Sequence, residues 1–506
     1  PERQGEGGGP FTNEGAGGEN YNTISYLACS PHEAGTLWAG SDDGLVHLTR
    51  NEGESWANVT PPGLGEAIIN CIEVSPHDPA TAYLAAHKYK FNNFRPIAYV
   101  TEDYGQSWTK ITEGFDEESF VRVIREDPER KGLLYAGTEY GMYLSFDDGS
   151  SWQPFQLNLP QVPITDLQVR DRNLIVATQG RSLWILDDLS PLHQLSDEVA
   201  AADFHLFAPK PSYRLRQRGW NERDPLREGE NHPAGVMFYY YLANAPGEDD
   251  SISLEILEGD GSVIKRFTPR EADGADDTDG GDETPLLAEA GANRFVWDMR
   301  YPDAVSFEGL ILYSADTRGP LAVPGTYRAR LTVNGESVEQ PFELLKDPRV
   351  NSSLADLQAQ FEFLMKVRDK LSEAHQAVID IRSLREDLEY LRGKLGDDAG
   401  AESLLAAVTA LDDAMTVIEN NLHETRNEAY QDPLNFGIKL NNRLAYLATH
   451  AAAGDFRPTD QGVAYRKEVS AQIDAELAAL EQLLDEQLPA INGLVEELGI
   501  RMLAAP

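Results

Sequence analysis

Cysteines, basic residues and long apolar runs are all scarce in this chain of 506 residues. Only Cys29 and Cys71 are present, so a disulfide scaffold is excluded. The two either form a single bond or serve as small buried apolar side chains. No apolar run approaches the roughly 18 residues of a membrane span. With 84 acidic and 43 basic residues, the net charge of −41 argues against a nucleic-acid partner, because phosphate binding needs clustered Lys and Arg.

Sequence motifs of common enzyme sites are missing as well. The chain has no Gly-rich phosphate loop, nucleophile elbow or His-Glu-x-x-His. His32 and His77 recur beside proline at matching positions, which indicates a role in turns. No third ligand follows at metal spacing, so zinc is not expected. We predict neither a metal site nor a cofactor, with one possible exception for calcium given below.

Three copies of one short pattern carry most of the structural information. Each reads Ser/Thr-x-Asp/Asn-x-Gly-x-Ser-Trp, and successive copies begin 52 and 44 residues apart. The hydroxyl, the acid or amide and the glycine form a tight turn, and the tryptophan packs under the next strand. A repeat of about 45 residues predicts β-propeller blades. The structural residues of the three turns are Thr49, Asn51, Gly53, Trp56, Thr101, Asp103, Gly105, Trp108, Ser145, Asp147, Gly149 and Trp152.

Each repeat contains four short predicted strands, as a propeller blade does. We predict about four blades in residues 24–200, after a Gly-rich linker at 1–23; the last blade lacks the turn pattern. Four blades either close alone or leave edges that blades from elsewhere must cover. We favour the second, because the chain starts at Pro1 without an initiator Met, which indicates that an upstream part was removed or that this is a fragment.

Residues 203–346 alternate in the way of a β-sandwich of immunoglobulin-like size. The predicted strands are 236–242, 252–257, 263–267, 294–297 and 327–333. Residues 271–283 carry seven carboxylates, and calcium is conceivable there because closely spaced oxygens suit that ion. A solvated, disordered hairpin tip is the favoured interpretation, since the spacing does not match an EF-hand.

Residues 351–506 are predicted to form a helical bundle. Asn351, Ser352 and Ser353 together with Asp356 predict an N-cap and capping box after Pro348, and apolar residues then recur at steps of three and four up to Leu395. This pattern predicts a first helix of about 40 residues. Further helices are expected near 400–425, 433–452 and 462–498. The alternative to a bundle is a protruding coiled coil that binds a partner.

The Asp-containing turns resemble the Asp boxes of bacterial neuraminidase repeats and sortilin-type ectodomains. Other segments are similar to a large bacterial family known as WD40/YVTN/BNR-repeat or sortilin-N-terminal-domain proteins, often labelled glycosyl hydrolase. The segments that carry this resemblance are Thr12–Tyr21, Trp38–Val46, Pro163–Ser182, Asn293–Pro302 and Asp432–Phe436. These segments are spread over nearly the whole chain. The chain as a whole is similar to the C-terminal half of such proteins.

The resemblance implies an exported protein, secreted or periplasmic. Members of the family are longer and begin with further blades, so it also implies a missing N-terminal half or a partner chain that completes the ring. The resemblance implies no agreed activity, because the hydrolase label was given to the family on account of the repeat motif alone. A sialidase is not expected, since the blades lack the Arg-Ile-Pro motif that precedes the first box in those enzymes.

The favoured function is that of a non-catalytic, exported binding or scaffold protein. Its propeller face would bind a protein, a peptide or a glycan, because a propeller presents many loops on a rigid ring. The candidate binding residues are Arg181, Asp42, Asp43 and Glu139. One alternative is a glycoside hydrolase that acts on polysaccharide through two carboxylates on that face. Another is a structural subunit of a larger complex.

Overall fold

The structure, a computed structural model, describes residues 22–215, 229–247, 249–269, 285–395 and 401–499. Most of the predicted linker and the whole acidic segment 271–283 lie outside the described residues. The chain forms two compact units, Pro1–Leu195 and Ser196–Pro506.

The first unit consists of four antiparallel sheets that follow one another along the chain. The first three sheets have four strands each and the fourth has three. Strands pair in chain order within each sheet, so the predicted propeller-like repeat is confirmed, and we call the sheets blades 1 to 4. The strands are β1 (Ile24–Cys29), β2 (Leu37–Ser41), β3 (Val46–Thr49), β4 (Ala57–Asn58), β5 (Ile68–Val74), β6 (Ala82–Lys88), β7 (Asn93–Thr101), β8 (Thr109–Lys110), β9 (Val121–Glu126), β10 (Leu134–Thr138), β11 (Gly141–Ser145), β12 (Gln153–Pro154), β13 (Ile164–Arg170), β14 (Asn173–Thr178) and β15 (Leu183–Leu186).

The first strands of successive blades are the inner strands, and they contact one another. Ser25 Oγ on β1 donates to the Ile69 carbonyl at 2.7 Å, and Arg125 Nε on β9 donates to the Leu167 carbonyl at 2.8 Å. Every inner strand has a β-bulge at the same place, so the four blades share one register. The fourth strands β4, β8 and β12 are exposed at the outside.

Two histidines join the turns of neighbouring blades. His32 Nε2 lies 3.0 Å from the Ser75 carbonyl, and His77 Nε2 lies 2.7 Å from the Asp127 carbonyl. Ser75 and Asp127 begin the equivalent turn of the next blade, so the contact is repeated with the blades. The chain then leaves blade 4 through the short helix α1 (Ser190–Gln194).

The second unit begins with helix α2 (Asp197–Ala200), followed by two sheets that share one hydrophobic core. Trp297 is fully buried in this core against Tyr327 and Phe342. Every strand that the alternation predicted is formed, and the immunoglobulin-like topology stays a prediction. One sheet has the order β16 (Phe204–Leu206), β18 (Val236–Leu242), β21 (Gly291–Trp297), and the other β17 (Ser212–Arg214), β23 (Glu336–Lys346), β22 (Gly325–Val333), β19 (Ile252–Leu257), β20 (Val263–Phe267).

The helical part follows, and its long helices share one apolar core. Ser353 and Asp356 form the expected cap, in which the Ser353 hydroxyl donates to the carboxylate at 2.6 Å. The single helix predicted near 433–452 is wrong: it is two helices, because Gly437 between them has a left-handed φ of 87°. The helices are α3 (Leu354–Leu395), α4 (Glu402–Leu422), α5 (Pro433–Phe436), α6 (Leu440–Ala451) and α7 (Asp460–Glu497).

Candidate functional site

The three Asp-containing turns share one hydrogen-bond pattern. In the third, the Ser145 hydroxyl accepts from the Gly149 N–H at 2.9 Å and donates to Asp147 at 2.7 Å. Burial alone would raise the pKa of Asp147, but hydrogen bonds from Ser145 and Ser151 outweigh it and hold that pKa below its usual range. The same contacts connect Thr49, Asn51, Gly53 and Ser55 in the first turn, and Thr101, Asp103, Gly105 and Ser107 in the second. The polar groups of each turn are thus used within the turn.

The tryptophans that follow the second and third turns bind the preceding blade. The indole N–H of Trp152 donates to the Ile111 carbonyl at 3.1 Å, and that of Trp108 donates to the Val59 carbonyl at 2.8 Å. Ile111 and Val59 occupy the same position in their own blades, so the two contacts are equivalent. Trp152 is 4% exposed, whereas Trp56 in blade 1 has no preceding blade among the described residues and is 43% exposed.

One guanidinium joins the inner strands of all four blades. Arg125 of blade 3 donates to Tyr26 Oη of blade 1 at 3.2 Å and to Cys71 Sγ of blade 2 at 2.9 Å. It also pairs with Glu73 of blade 2 at 3.1 Å and with Asp166 of blade 4 at 2.7 Å. We call these five side chains the Arg125 cluster.

The Asp166 side chain of the Arg125 cluster is exposed, but Arg125, Glu73 and Cys71 are largely shielded from water, and this changes their proton chemistry. Burial raises the pKa of Glu73 to about 7, although Arg125 opposes the shift. Burial also raises the pKa of the Cys71 thiol, so this cysteine is a poor nucleophile. The inner strands are therefore held together by polar groups that bind one another, which fits a structural role better than a catalytic one.

Three of the four candidate binding residues lie in turns with local contacts. Asp42 Oδ1 accepts from the backbone N–H groups of Asn22 and Thr23, both at 2.9 Å. Asp43 accepts from the Ser41 hydroxyl within its own turn. Glu139 binds the Arg122 guanidinium through two contacts of 2.6 and 2.8 Å.

The fourth candidate, Arg181, lies in the turn between β14 and β15, and its side chain is exposed. Its carbonyl accepts from the indole N–H of Trp184 at 2.9 Å. Among the described residues, no hydrogen bond or ion pair joins any two of the four candidates. They share only the face at which the second strand of each blade turns into the third, which we call the upper face.

The upper face carries a group of aromatic rings that the sequence interpretation missed. Gly40 pairs with Val46 in blade 1 and Gly137 pairs with Met142 in blade 3, so five and four residues lie between these paired positions. In blade 2, Ala85 pairs with Ala98, so twelve residues lie between them. The extended hairpin continues its pairing to Lys88 and Asn93 and contains a short 3₁₀ helix, Tyr89–Phe91.

Rings from this hairpin pack around the start of the next inner strand. The Tyr89 ring stacks on Phe120 with centroids 5.7 Å apart, and the Phe94 ring lies 6.4 Å from Phe120. Phe120 is buried, while Tyr89 and Phe94 keep exposed faces. The Arg122 guanidinium lies 5.0 Å from the Phe120 centroid, a cation–π contact. We call Tyr89, Phe94, Phe120 and Arg122 the aromatic platform.

Charges of both signs surround the aromatic platform. Lys90 and Arg95 are exposed on the hairpin. Residues 116–118, an Asp followed by two Glu, are exposed in the loop before Phe120. A signal for this site was present in the sequence, because residues 79–101 contain no Asp or Glu in a chain with 84 of them. Alignment of the three Asp-containing turns did not reveal this signal, because the extra residues of the blade 2 hairpin lie outside the positions that repeat.

The remaining site predictions concern cysteines and metals. Cys29 and Cys71 are free, so they do not form a bond with each other. The other interpretation, two small buried side chains, holds for Cys71, whereas Cys29 is exposed. Among the described residues, no three His, Cys, Asp or Glu side chains form a group suited to a metal ion. The acidic segment 271–283 lies outside those residues, so calcium there stays a proposal.

A separate cavity of about 500 Å³ lies in the second unit. Its wall includes the ion-paired Arg318 and Asp316, and Leu364 and Val367 of α3. The wall also includes Arg214, whose guanidinium is buried and paired with Asp455 at 2.5 Å. The cavity thus has guanidinium groups with acidic partners and an apolar floor.

No helix in the described part of the chain is both long and apolar enough to cross a bilayer. No family model and no curated protein matches the chain. Among solved structures, YCF48 bound to D1 peptide is 18% identical with a TM-score of 0.27, covering 33% of this chain and 52% of that one. YCF48 from Cyanidioschyzon merolae is 14% identical with a TM-score of 0.26, covering 34% and 55%.

A GH74 enzyme from Niastella koreensis is 13% identical with a TM-score of 0.28, covering 64% of this chain and 46% of that one. The matched region spans about half the length of these three chains. Such likenesses are distant, and the propeller-like assignment rests on the blades themselves.

Proposed function

We propose that the four-blade unit is a non-catalytic binding module that holds a protein or peptide on its upper face. The observation that carries this proposal is the aromatic platform, which is built on a hairpin that is longer in blade 2 than in the other three described blades. The proposal includes a secreted or periplasmic location, which is supported by the family resemblance alone.

The composition of the platform favours a polypeptide ligand. Tyr, Phe and Arg are enriched where proteins bind each other, and the rings of Tyr and Phe bury much area with few rotatable bonds. Tyr89 and Phe94 offer exposed ring faces, and Phe120 and Arg122 hold them in place from below. A ligand would therefore meet a preformed surface and cost little ordering entropy.

A glycoside hydrolase is the second candidate, and the carboxylates near the platform argue against it. Hydrolysis requires two carboxylates that are free to act as acid and base or nucleophile. Glu139 is occupied by Arg122, Asp42 accepts from the N–H groups of Asn22 and Thr23, and Asp43 accepts from the Ser41 hydroxyl of its own turn. A hydrolase would need a free pair among other carboxylates, such as the exposed acids at 116–118.

The test uses the whole chain and a random peptide library displayed on phage. Peptides selected on the wild-type protein should lose binding at least about tenfold to a Tyr89→Ser, Phe94→Ser double variant, since each anchor contributes on the order of 1 kcal/mol or more. A Tyr446→Ser variant, which removes an exposed ring from α6, is the matched control. Peptides that bind the double variant equally well would contradict the platform.

Two further assays separate the alternatives. Binding of neutral oligosaccharides on a glycan array, lost in the same double variant, would indicate a glycan rather than a peptide ligand. Release of reducing sugar from a polysaccharide panel would indicate the hydrolase. We also propose that further blades complete the open ring, as in a subunit of a larger assembly.

A further inference from the structure

One end of the four-blade unit exposes apolar side chains that are buried in the other blades. Ile24 on β1 is 63% exposed, and Leu27 on the same strand is exposed as well. Their counterparts at the same register are at most 1% exposed: Ile69, Val121 and Ile164 for Ile24, and Ile72, Ile124 and Leu167 for Leu27. We call the surface formed by Ile24, Leu27 and Trp56 the leading face of blade 1.

The other end has a matching exposure. Leu183 on β15 is 69% exposed, Ile185 is exposed, and Ala177 on β14 is half-buried. The residues at the same register in blades 1, 2 and 3 are buried or nearly buried. The counterparts of Leu183 are Val46, Ala98 and Met142, and those of Ile185 are Leu48, Val100 and Leu144. The counterparts of Ala177 are Gly40, Ala85 and Gly137. We call the surface formed by Ala177, Leu183 and Ile185 the trailing face of blade 4.

The internal junctions show how a trailing face receives a leading face. Ile69 of blade 2 packs so closely on Gly40 of blade 1 that a Cβ there would lie 2.3 Å from Ile69 Cγ2. Ile164 of blade 4 packs in the same way on Gly137 of blade 3, at 2.6 Å. A branched apolar side chain thus sits on a small residue of the preceding blade. Blade 4 has the small residue Ala177 at this position.

We propose that the trailing face of blade 4 binds the leading face of blade 1 in a second copy of this chain, so that two copies close one ring. The contact has the same residue classes as the three internal junctions, with Ile24 seated on Ala177. This inference gives an identity to the ring-completing partner proposed above and does not depend on which ligand the upper face binds.

A second copy meets the requirement of both exposed faces. The open unit has two different apolar faces, and a single additional copy supplies the complement of both. Two head-to-tail contacts related by a twofold axis then form a closed ring, which leaves no face to start a filament. Eight blades lie within the range of four to eight that propellers adopt.

The junction between copies differs from the internal ones at the tryptophan. In blades 2 and 3 the indole N–H donates to a residue that follows the short fourth strand of the preceding blade. Blade 4 has three strands among the described residues, so Trp56 gains no equivalent acceptor. Ile24 and Leu27 must therefore supply most of the contact.

Sedimentation velocity on the whole chain tests the proposal. The 56.0 kDa chain should sediment at twice its mass, and more completely at high salt, because each copy carries a net charge of −41. Ile24→Asp and Leu183→Asp should each shift the midpoint of association at least about tenfold, since a carboxylate is buried without a partner. Leu157→Asp, at an exposed leucine of the same unit, should leave the mass unchanged.

Mixing the two variants identifies the contact as head to tail. An equimolar mixture of Ile24→Asp and Leu183→Asp chains retains one unaltered contact, between the wild-type leading face of one and the wild-type trailing face of the other. The mixture should therefore associate more tightly than either variant alone. Circular dichroism should confirm that both variants are folded.

Three results would overturn the proposal. These are a wild-type chain that stays at 56.0 kDa at every concentration, a dimer that neither variant weakens, and oligomers that keep growing with concentration instead of stopping at two copies. Loss of peptide binding with retention of the dimer, or the reverse, separates this inference from the binding function.

Discussion

The turn of blade 1 and the turns of blades 2 and 3 have nearly the same sequence and the same internal hydrogen bonds, but different surroundings. Trp152 lies in a core, whereas Trp56 is exposed. A Cβ on Gly149 would lie 2.8 Å from Ile111 of the preceding blade, whereas the nearest atom to a Cβ on Gly53 is 3.7 Å away in Trp56.

This contrast separates two roles of one motif. The hydroxyl, the acid or amide and the glycine close the turn in all three blades, so the local shape does not depend on a neighbour. The energetic value of the tryptophan does depend on one, because only a preceding blade provides the apolar surface and the carbonyl. Equal motifs should therefore respond unequally to equal substitutions.

The largest effect is expected for Trp152→Ala. It removes a buried indole that stacks on Phe115 at 4.7 Å and its bond to Ile111, which should lower the free energy of unfolding of the first unit by about 3–5 kcal/mol. This loss is measured by titration with guanidinium chloride, in which hydrogen exchange of peptides from residues 22–195 reports the unfolding of the first unit. A loss below about 1 kcal/mol would mean that the junction is not packed as described.

The glycine of the turn gives the next largest effect. Gly149→Ala combines a left-handed φ of 83° with overlap on Ile111, so we expect a loss of about 2–4 kcal/mol. Gly53→Ala has a similar φ of 89° but no close atom, so its loss should stay near 1 kcal/mol. If the same titration showed equal losses of stability for Gly149→Ala and Gly53→Ala, the preceding blade would have no role in the difference.

A smaller, pH-dependent effect is expected for Asp147→Asn. The pKa of Asp147 is lowered in the folded state, so its contribution to stability is present above the unfolded pKa of about 3.9 and is lost as pH falls through the lower folded pKa. The Asn variant should lose less stability than wild type between neutral and strongly acidic pH. Asn51→Asp should add such acid sensitivity to blade 1. Thermal unfolding at a series of pH values measures this effect. Curves of stability against pH that run parallel for the wild type and the Asn variant would contradict the prediction.

The smallest effect is expected for Trp56→Ala. Its indole is 43% exposed in the single chain, so the free energy of unfolding of the monomer should change by no more than about 0.5 kcal/mol. The same titration applied to Trp152→Ala provides the scale. A loss of several kcal/mol would show that Trp56 has a covering partner under the conditions of the experiment.

The sequence was sufficient for the elements that obey a repeat or a period. The turns from Thr49, Thr101 and Ser145 marked the blades, and the apolar spacing after Ser353 marked α3. The split at Gly437 was missed because the periodic apolar pattern continues across it, and only the left-handed φ ends the helix.

The functional surfaces were harder to predict for a different reason. The aromatic platform combines Tyr89 and Phe94 of one blade with Phe120 of the next, so no local pattern contains it. The Arg125 cluster takes different residue types from four aligned strands. Alignment of repeats emphasises what blades have in common, whereas these contacts depend on how the blades differ.

Arg125 also has a consequence for how the four blades unfold. Arrays of structural repeats are usually described by the stability of each repeat plus a term for each adjacent pair. Because Arg125 of blade 3 binds Tyr26 of blade 1, two modules that are not adjacent are coupled directly. Fraying from one end would leave a shielded cation short of partners, so melting should be all-or-none across the four modules rather than stepwise.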